Sequence, residues 1–173
     1  HLAANASHEA SWEEVLRNNI IATKNIYENA RKHHVKKVIF ASSTHLVAYE
    51  GYPQTSPLGR PIVPSDPPRP DSDYATSKGF GELLARQYYD LYGIETNCIR
   101  IGAVSKDNEP PVEPYEKLWL SHNDVAQVFK KALETEIPFG IYFATSQNLE
   151  PIFDITLTKQ DLGYNPVDGT RKT

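Results

Sequence analysis

The chain has 173 residues, a formal net charge of −4 and a hydrophobic fraction of 39%. This length and composition suffice for one globular domain with a buried core. Lys and Arg are interspersed with Asp and Glu, so the sequence offers no positively charged stripe for nucleic acid. No apolar run approaches the roughly 20 residues that a membrane-spanning helix needs. We therefore expect a soluble, cytoplasmic protein that binds neither nucleic acid nor membrane.

The start of the chain and its single sulfur-containing residue bear on processing and redox chemistry. The chain begins at His1 and contains no methionine, so we expect a fragment or a processed form. Cys98 is the only cysteine and lies in an apolar stretch, which is typical of a buried small hydrophobic residue. We expect no metal site, because the adjacent His33 and His34 follow a predicted helix and face solvent.

The first predicted element is a long helix. Apolar residues recur at helical spacing from Trp12 to Ala30. Ser11 and Glu14 form a capping box at the start, and the helix is expected to end near Lys32.

Strands and helices then alternate along the sequence. The apolar run at residues 38–41 predicts a parallel strand that is covered on both faces. The prolines and glycines of residues 50–70 predict a long loop of the kind that is often functional. The next helix begins near residues 71–73 and ends at Gly93. The later elements are predicted as a strand at 96–101, a loop at 105–114, a helix that begins at Ser121 and a strand at 141–144. This alternation predicts an α/β fold, a parallel sheet flanked by helices.

Three polar residues are candidates for catalysis. Tyr74 and Lys78 are four residues apart near the start of a predicted helix, so their side chains lie on one face. A phenol titrates near pH 10, and a nearby ammonium favours its deprotonated form. This spacing also occurs on ordinary helix surfaces. However, Ser42 and Ser43 follow a predicted strand, at the sheet edge where open α/β sheets bind ligands.

This order of motifs resembles a known family. A strand, Ser42-Ser43, a long loop and Tyr74-x-x-x-Lys78 are similar to the extended short-chain dehydrogenase/reductases, the NAD-dependent epimerase/dehydratase family. Four further stretches agree with it: residues 1–4, 18–23, 100–102 and 161–166. The resemblance implies a truncated Rossmann-type sheet, with residues 1–173 as the C-terminal, catalytic part of a single NAD(P)-binding Rossmann-like domain.

Within this family, the phrases at residues 40–45, 74–78, 100–102 and 119–122 are most similar to uronate dehydrogenases and related NAD-dependent sugar or sugar-phosphate dehydrogenases. That resemblance implies oxidation of a sugar hydroxyl, the anomeric one, to a lactone. Tyr74 would be the base, Lys78 would lower its pKa and hold the nicotinamide ribose, and Ser43 would bind the reacting oxygen. The sugar site would contain Ser43, Thr44, His45 and Ala103. The cofactor would contact Leu2, Ala3, Ala4, Tyr74, Lys78 and Val104.

The sequence also departs from the family. The glycine-rich turn that holds the pyrophosphate is not found, so only the nicotinamide side of an NAD site is expected, and NADP stays open. Uronate dehydrogenases usually have Asn at Thr44, Ser at Ala103 and an arginine within residues 110–114. No arginine lies between Arg100 and Arg171. Since arginine is a bidentate partner for a carboxylate, a neutral sugar or sugar phosphate is the expected substrate.

Two other functions stay open at this stage. One is a nucleotide-sugar epimerase or dehydratase of the same superfamily, which usually needs a larger C-terminal lobe than the roughly 70 residues after Arg100. The other is an inactive, fragmentary paralogue that acts as a binding module. A homo-oligomer is compatible with either.

Overall fold

Three parallel strands form the sheet of the protein. The structure is a computed structural model that describes residues 1–7, 9–47 and 58–170. Strands β1 (Lys37–Ser43), β2 (Glu95–Ile101) and β3 (Phe139–Ala144) are adjacent in the order β1-β2-β3. A helix separates each strand from the next along the chain, as parallel neighbours require. The predicted α/β fold with a helix-flanked parallel sheet is confirmed.

The first helical stretch contains a π-helical turn. Helix α1 (Trp12–Val15) continues through the π-helical turn Leu16–Ile21 into α2 (Ala22–Lys32). The capping box is present, with the Glu14 amide donating to Ser11 Oγ at 3.4 Å and the Ser11 amide donating to a Glu14 carboxylate oxygen at 2.9 Å. The extent of the helix was therefore predicted correctly and the π-helical turn was not.

The later helices follow their capping signals. Helix α3 (Asp73–Tyr92) begins after the N-cap Ser72 and ends at Gly93, which has a left-handed backbone (φ 68°). Helix α4 (His122–Glu134) begins after the N-cap Ser121. A short helix α5 (Thr156–Leu162) has no side-chain cap, and the sequence did not predict it. Single 3-10 turns cover Thr44–Val47 and Tyr115–Leu118.

The long proline-rich loop was predicted at residues 50–70. In its described part, residues 58–70, one isolated bridge pairs Ile62 with Phe153, and no helix or strand is formed. Residues 50–57 lie outside the described residues.

The two faces of the sheet are covered by different helices. On one face, Tyr27 of α2 and Leu84 and Tyr88 of α3 pack against Phe40 and Cys98. The opposite face packs against α4 and α5 through Ile39, Ile99, Val128, Tyr142 and Leu162. Complete burial of an aliphatic or aromatic side chain contributes about 1.5–3 kcal/mol. Cys98 is fully buried, as the sequence predicted.

Some large apolar residues of the helices are exposed. Leu83 is 75% exposed, Leu91 and Leu133 are more than half exposed, and Trp12 is nearly half exposed. They are exposed because each helix packs along one stripe, and neighbouring positions turn away from it. Within the described ranges, no helix is long and apolar enough to cross a membrane.

The outer edge of β1 is bonded to the first residue of the chain. The Ala41 amide donates to the His1 carbonyl at 3.1 Å, and the His1 nitrogen donates to the Ile39 carbonyl at 2.7 Å. On the inner side, the register places Ser42 opposite Arg100 and Ser43 opposite Ile101. The polar residues at the end of β1 therefore face the end of β2.

Candidate active site

A cavity of about 440 Å³ opens at the carboxyl edge of β1 and β2. Its walls come from the ends of these strands, the first turns of α3 and the amino-terminal segment. The sequence-predicted residues that line it are Leu2, Ala4, Ser43, Thr44, His45, Tyr74, Lys78, Ala103 and Val104. Ala3 was also predicted to contact a cofactor, but it is exposed and does not line this cavity. The structure thus brings together all but one of these residues.

Helix α3 holds Tyr74 and Lys78 against the end of β1. Ser72 Oγ accepts the Ala75 amide at 3.2 Å, which places both residues in the first turns of the helix. Gly81 allows the helix to approach the strand, because a Cβ at this position would lie 2.1 Å from the Phe40 ring. The Lys78 ammonium reaches the Ala41 carbonyl at 2.9 Å. The Tyr74 hydroxyl forms a hydrogen bond with Ser43.

Burial shifts the pKa values of Tyr74 and Lys78. Burial lowers the pKa of Lys78 from 10.5 to about 8, since an ammonium is less stable away from water. Burial also raises the pKa of Tyr74, the hydrogen bond with Ser43 opposes this rise, and the charge of Asp71 adds to it. We expected Lys78 to lower the Tyr74 pKa. Its Nζ lies 5.6 Å from the centroid of the tyrosine ring, and burial of the phenol is the dominant effect instead.

A buried asparagine supports helix α3. Asn19 lies in the π-helical turn and donates to Ser77 Oγ at 3.0 Å, and Ser77 donates to the Tyr74 carbonyl at 2.6 Å. Asn19 also exchanges two hydrogen bonds with the backbone of Asn5, at 2.8 and 3.0 Å. The amide of Asn19 thus ties the helix to the neighbouring amino-terminal segment. The observed network connects the amino-terminal wall of the cavity to the helix that carries Tyr74.

Sequence reasoning missed the partner of His45. The His45 Nδ1 lies 2.7 Å from a carboxylate oxygen of Asp71, and its ring is edge-on to Tyr74 with the centroids 6.3 Å apart. The sequence indicated Asp71 only as a potential helix cap. The two residues are 26 positions apart on either side of the long loop, so no spacing rule connects them.

A comparison of this chain with known protein families identifies its family. Residues 1–114 match the family described as NAD dependent epimerase/dehydratase family. The chain belongs to this family. Its membership confirms the resemblance drawn from the serine, tyrosine and lysine motifs.

Individual members of the family are similar over nearly the whole chain. The NAD-dependent glucose-6-phosphate dehydrogenase of Haloferax volcanii is 36% identical over 98% of this chain and 68% of its own length. The uronate dehydrogenase of Pseudomonas syringae pv. tomato is 38% identical over 95% of this chain and 57% of its own length. A mutant uronate dehydrogenase from Agrobacterium tumefaciens, solved in complex with NAD, superimposes with a TM-score of 0.85. It is 35% identical over 98% of this chain and 60% of its own. The chain spans about three fifths of the length of such relatives.

The description of the epimerase/dehydratase family names NAD. The cavity fits the nicotinamide end of this dinucleotide. Leu2 and Ala4 provide an apolar wall, and the Tyr74 hydroxyl and Lys78 ammonium provide polar groups on the same cavity. A flat amide-bearing ring with an attached ribose needs such a combination. In the described residues, we find no glycine-rich turn of the kind that holds a pyrophosphate at a helix N-terminus. The fit therefore concerns the nicotinamide riboside end.

Proposed function

We propose that the protein is an NAD-dependent sugar dehydrogenase, and that this chain is the catalytic part of its NAD-binding domain. The observation that carries the proposal is the meeting of Ser43, Tyr74 and Lys78 in one cavity at the carboxyl edge of a parallel sheet. The names of the similar dehydrogenases from Haloferax and Pseudomonas support a sugar or sugar phosphate as the substrate class.

In the proposed mechanism, Tyr74 takes the proton of the sugar hydroxyl. NAD supplies the acceptor for the hydride that leaves the same carbon. Ser43 is in hydrogen-bond contact with Tyr74 and would donate to the reacting oxygen. Lys78, with a pKa near 8, is charged in most molecules at neutral pH and favours the phenolate as the proton moves. Oxidation at the anomeric carbon would give a lactone.

Substrate choice in this proposal depends on Thr44, His45 and Ala103. Thr44 donates to the Ile101 carbonyl at 3.2 Å, and Ala103 presents only a methyl group. The segment from residue 101 to residue 170 contains no arginine to grip a carboxylate. We therefore propose a neutral sugar or a sugar phosphate in preference to a uronic acid.

The experiment is a steady-state assay of NADH formation with the purified full-length protein. Glucose, arabinose, glucose 6-phosphate, glucuronate and galacturonate are compared as substrates. Tyr74→Phe is expected to lower turnover at least about a hundredfold, the usual contribution of a positioned acid or base. Tyr115→Phe is the matched control, because Tyr115 is exposed and does not line the cavity.

Each outcome of this assay bears on a separate part of the proposal. A Tyr74→Phe protein that keeps most of its turnover would remove Tyr74 from the mechanism. A clear preference for glucuronate or galacturonate would overturn the substrate assignment alone. Conversion of a nucleotide sugar without net NADH formation would instead identify an epimerase or dehydratase.

A further inference from the structure

His45 has a position in the cavity that its neighbours on the chain fix. It lies in the turn that directly follows β1, and its amide donates to Ser43 Oγ at 3.3 Å. Its ring is edge-on to the ring of Tyr74. His45 therefore lines the cavity beside two of the three groups proposed to react.

Two contacts hold Asp71 in place beside the His45 ring. One carboxylate oxygen lies 2.7 Å from His45 Nδ1, and the other accepts the Ser72 hydroxyl at 2.8 Å. Ser72 is in turn the N-cap of α3. Both side chains of the His45–Asp71 pair are only 23% exposed, so the contact is screened less than one on the open surface. The start of the catalytic helix thus positions the carboxylate.

The chemistry of this contact determines which ring nitrogen carries the proton. An ionised carboxylate only accepts hydrogen bonds, so Nδ1 must be the nitrogen that donates to Asp71. In a neutral imidazole the other nitrogen, Nε2, is then an acceptor. Because the two nitrogens lie on different sides of the ring, Nε2 is directed away from Asp71.

We propose that Asp71 is a positioning residue that holds His45 in the Nδ1–H form, so that Nε2 accepts a hydrogen bond from a sugar hydroxyl. This inference rests on the proposed function, because it assigns a hydroxyl-bearing substrate to the same cavity. An acceptor at this position favours a hydroxyl over a carboxylate oxygen, which has no hydrogen to donate.

The first test measures the position of the proton and needs no turnover. Nitrogen-15 NMR of the histidine ring in the full-length protein should show the proton of neutral His45 on Nδ1. Asp71→Ala should move a large share of it to Nε2, because the acceptor that favours Nδ1–H is gone. Asp71→Asn keeps an acceptor oxygen without the charge and should preserve the Nδ1–H form in part. The matched control is Asp73→Ala, an exposed acid two residues away at the start of the same helix.

The second test separates binding from chemistry. Asp71→Ala should raise the KM for the preferred sugar about tenfold, with a much smaller change in kcat, and His45→Ala should do the same. The double variant should show little further increase, since both changes remove one interaction. If Asp71→Ala does not fold, Asp71→Asn replaces it. The KM of Asp71→Asn should lie between the KM of the unaltered protein and the value expected for Asp71→Ala.

Two results would overturn the assignment. One is a proton on Nε2 in the unaltered protein, and the other is an unchanged KM in Asp71→Ala. Loss of the proposed function is distinguishable from either, because Tyr74→Phe tests the reaction while the NMR measurement reports on the His45–Asp71 pair without substrate.

Discussion

Two buried charges lie four residues apart on helix α3, and the protein stabilises them differently. Lys78 and Glu82 are each only 6% exposed. The Glu82 carboxylate pairs with the Arg100 guanidinium, whereas the Lys78 ammonium donates to the Ala41 carbonyl. Burial lowers the pKa of Lys78 to about 8. The comparison indicates that an ion pair compensates the buried charge of Glu82 fully, whereas one hydrogen bond to a carbonyl compensates that of Lys78 only in part.

The Glu82–Arg100 pair joins four parts of the chain. Arg100 on β2 donates from Nε and Nη2 to the two oxygens of Glu82 at 2.9 and 2.8 Å. Ser42 on β1 donates to the same carboxylate at 2.6 Å, and Arg100 Nη1 donates to the Pro64 carbonyl at 3.1 Å. These contacts connect α3, both strands and the proline-rich loop beneath the catalytic edge. Such satisfied geometry is what a buried ion pair needs to offset desolvation.

The largest expected effect comes from breaking this pair on one side. Glu82→Ala leaves the Arg100 guanidinium buried without its counter-charge, so the free energy of unfolding should fall by about 3–5 kcal/mol. Urea denaturation at pH 7 measures the change.

The control removes both charges, as Glu82→Leu with Arg100→Met. It should cost clearly less than the single substitution, because no unpaired charge stays behind. A single substitution that costs less than about 1 kcal/mol would contradict the assignment of a structural role to this pair.

The next effect in size tests Lys78. Because its pKa is lowered in the folded chain, the folded protein binds fewer protons than the unfolded one between pH 8 and 10.5. The free energy of unfolding should therefore rise with pH in that window. The unfavourable burial of the ammonium, about 3 kcal/mol for this lowering, is fully present below pH 8.

Lys78→Met removes the titrating group, so the advantage of this variant over the unaltered protein should shrink by about 3 kcal/mol from pH 7 to above pH 10.5. Urea denaturation of both proteins across this range gives the difference between their free energies of unfolding. The other titrating groups contribute equally to both proteins, so they cancel in this difference. A difference that does not depend on pH would show that Lys78 titrates normally.

The smallest effect is expected from a third charge pair on the same helix. Arg86 and Asp90 are separated by 2.8 Å, but their side chains are 56% and 46% exposed. Asp90→Asn should change the free energy of unfolding by less than about 0.5 kcal/mol, because exposed pairs are solvated and screened. Thermal and urea denaturation in low and high salt measure it. A loss above about 1 kcal/mol would mean that burial does not distinguish the charge pairs of α3.

Much of the fold could be predicted because its signals are local. Ser11, Ser72 and Ser121 were expected at helix starts and Gly93 at a helix end, and each has that role. Short apolar runs marked the strands. The Tyr74–Lys78 spacing and the serines at the end of β1 indicated which side chains would meet, because parallel strands end at one edge.

The contacts that were missed connect residues far apart in sequence. His45 and Asp71 meet across the long loop, and Arg100 and Glu82 meet only because β2 lies under α3. The exposure of Leu83 could not be predicted either, since apolar periodicity does not show how wide the contact stripe of a helix is. Helix α5 has only seven residues and no N-cap side chain, and the left-handed Gly163 at its end does not by itself mark a helix.

The π-helical turn Leu16–Ile21 makes the number of residues in this helix a structural requirement. Val15, Asn19, Thr23 and Tyr27 are all buried, although residues four apart in a regular α-helix drift by 40° at each step. The wider π-helical turn corrects that drift, because its hydrogen bonds span one more residue. A deletion at exposed Arg17 would restore regular geometry but rotate Asn19 out of line with Ser77. Length in this segment is therefore constrained even where the side chains are exposed.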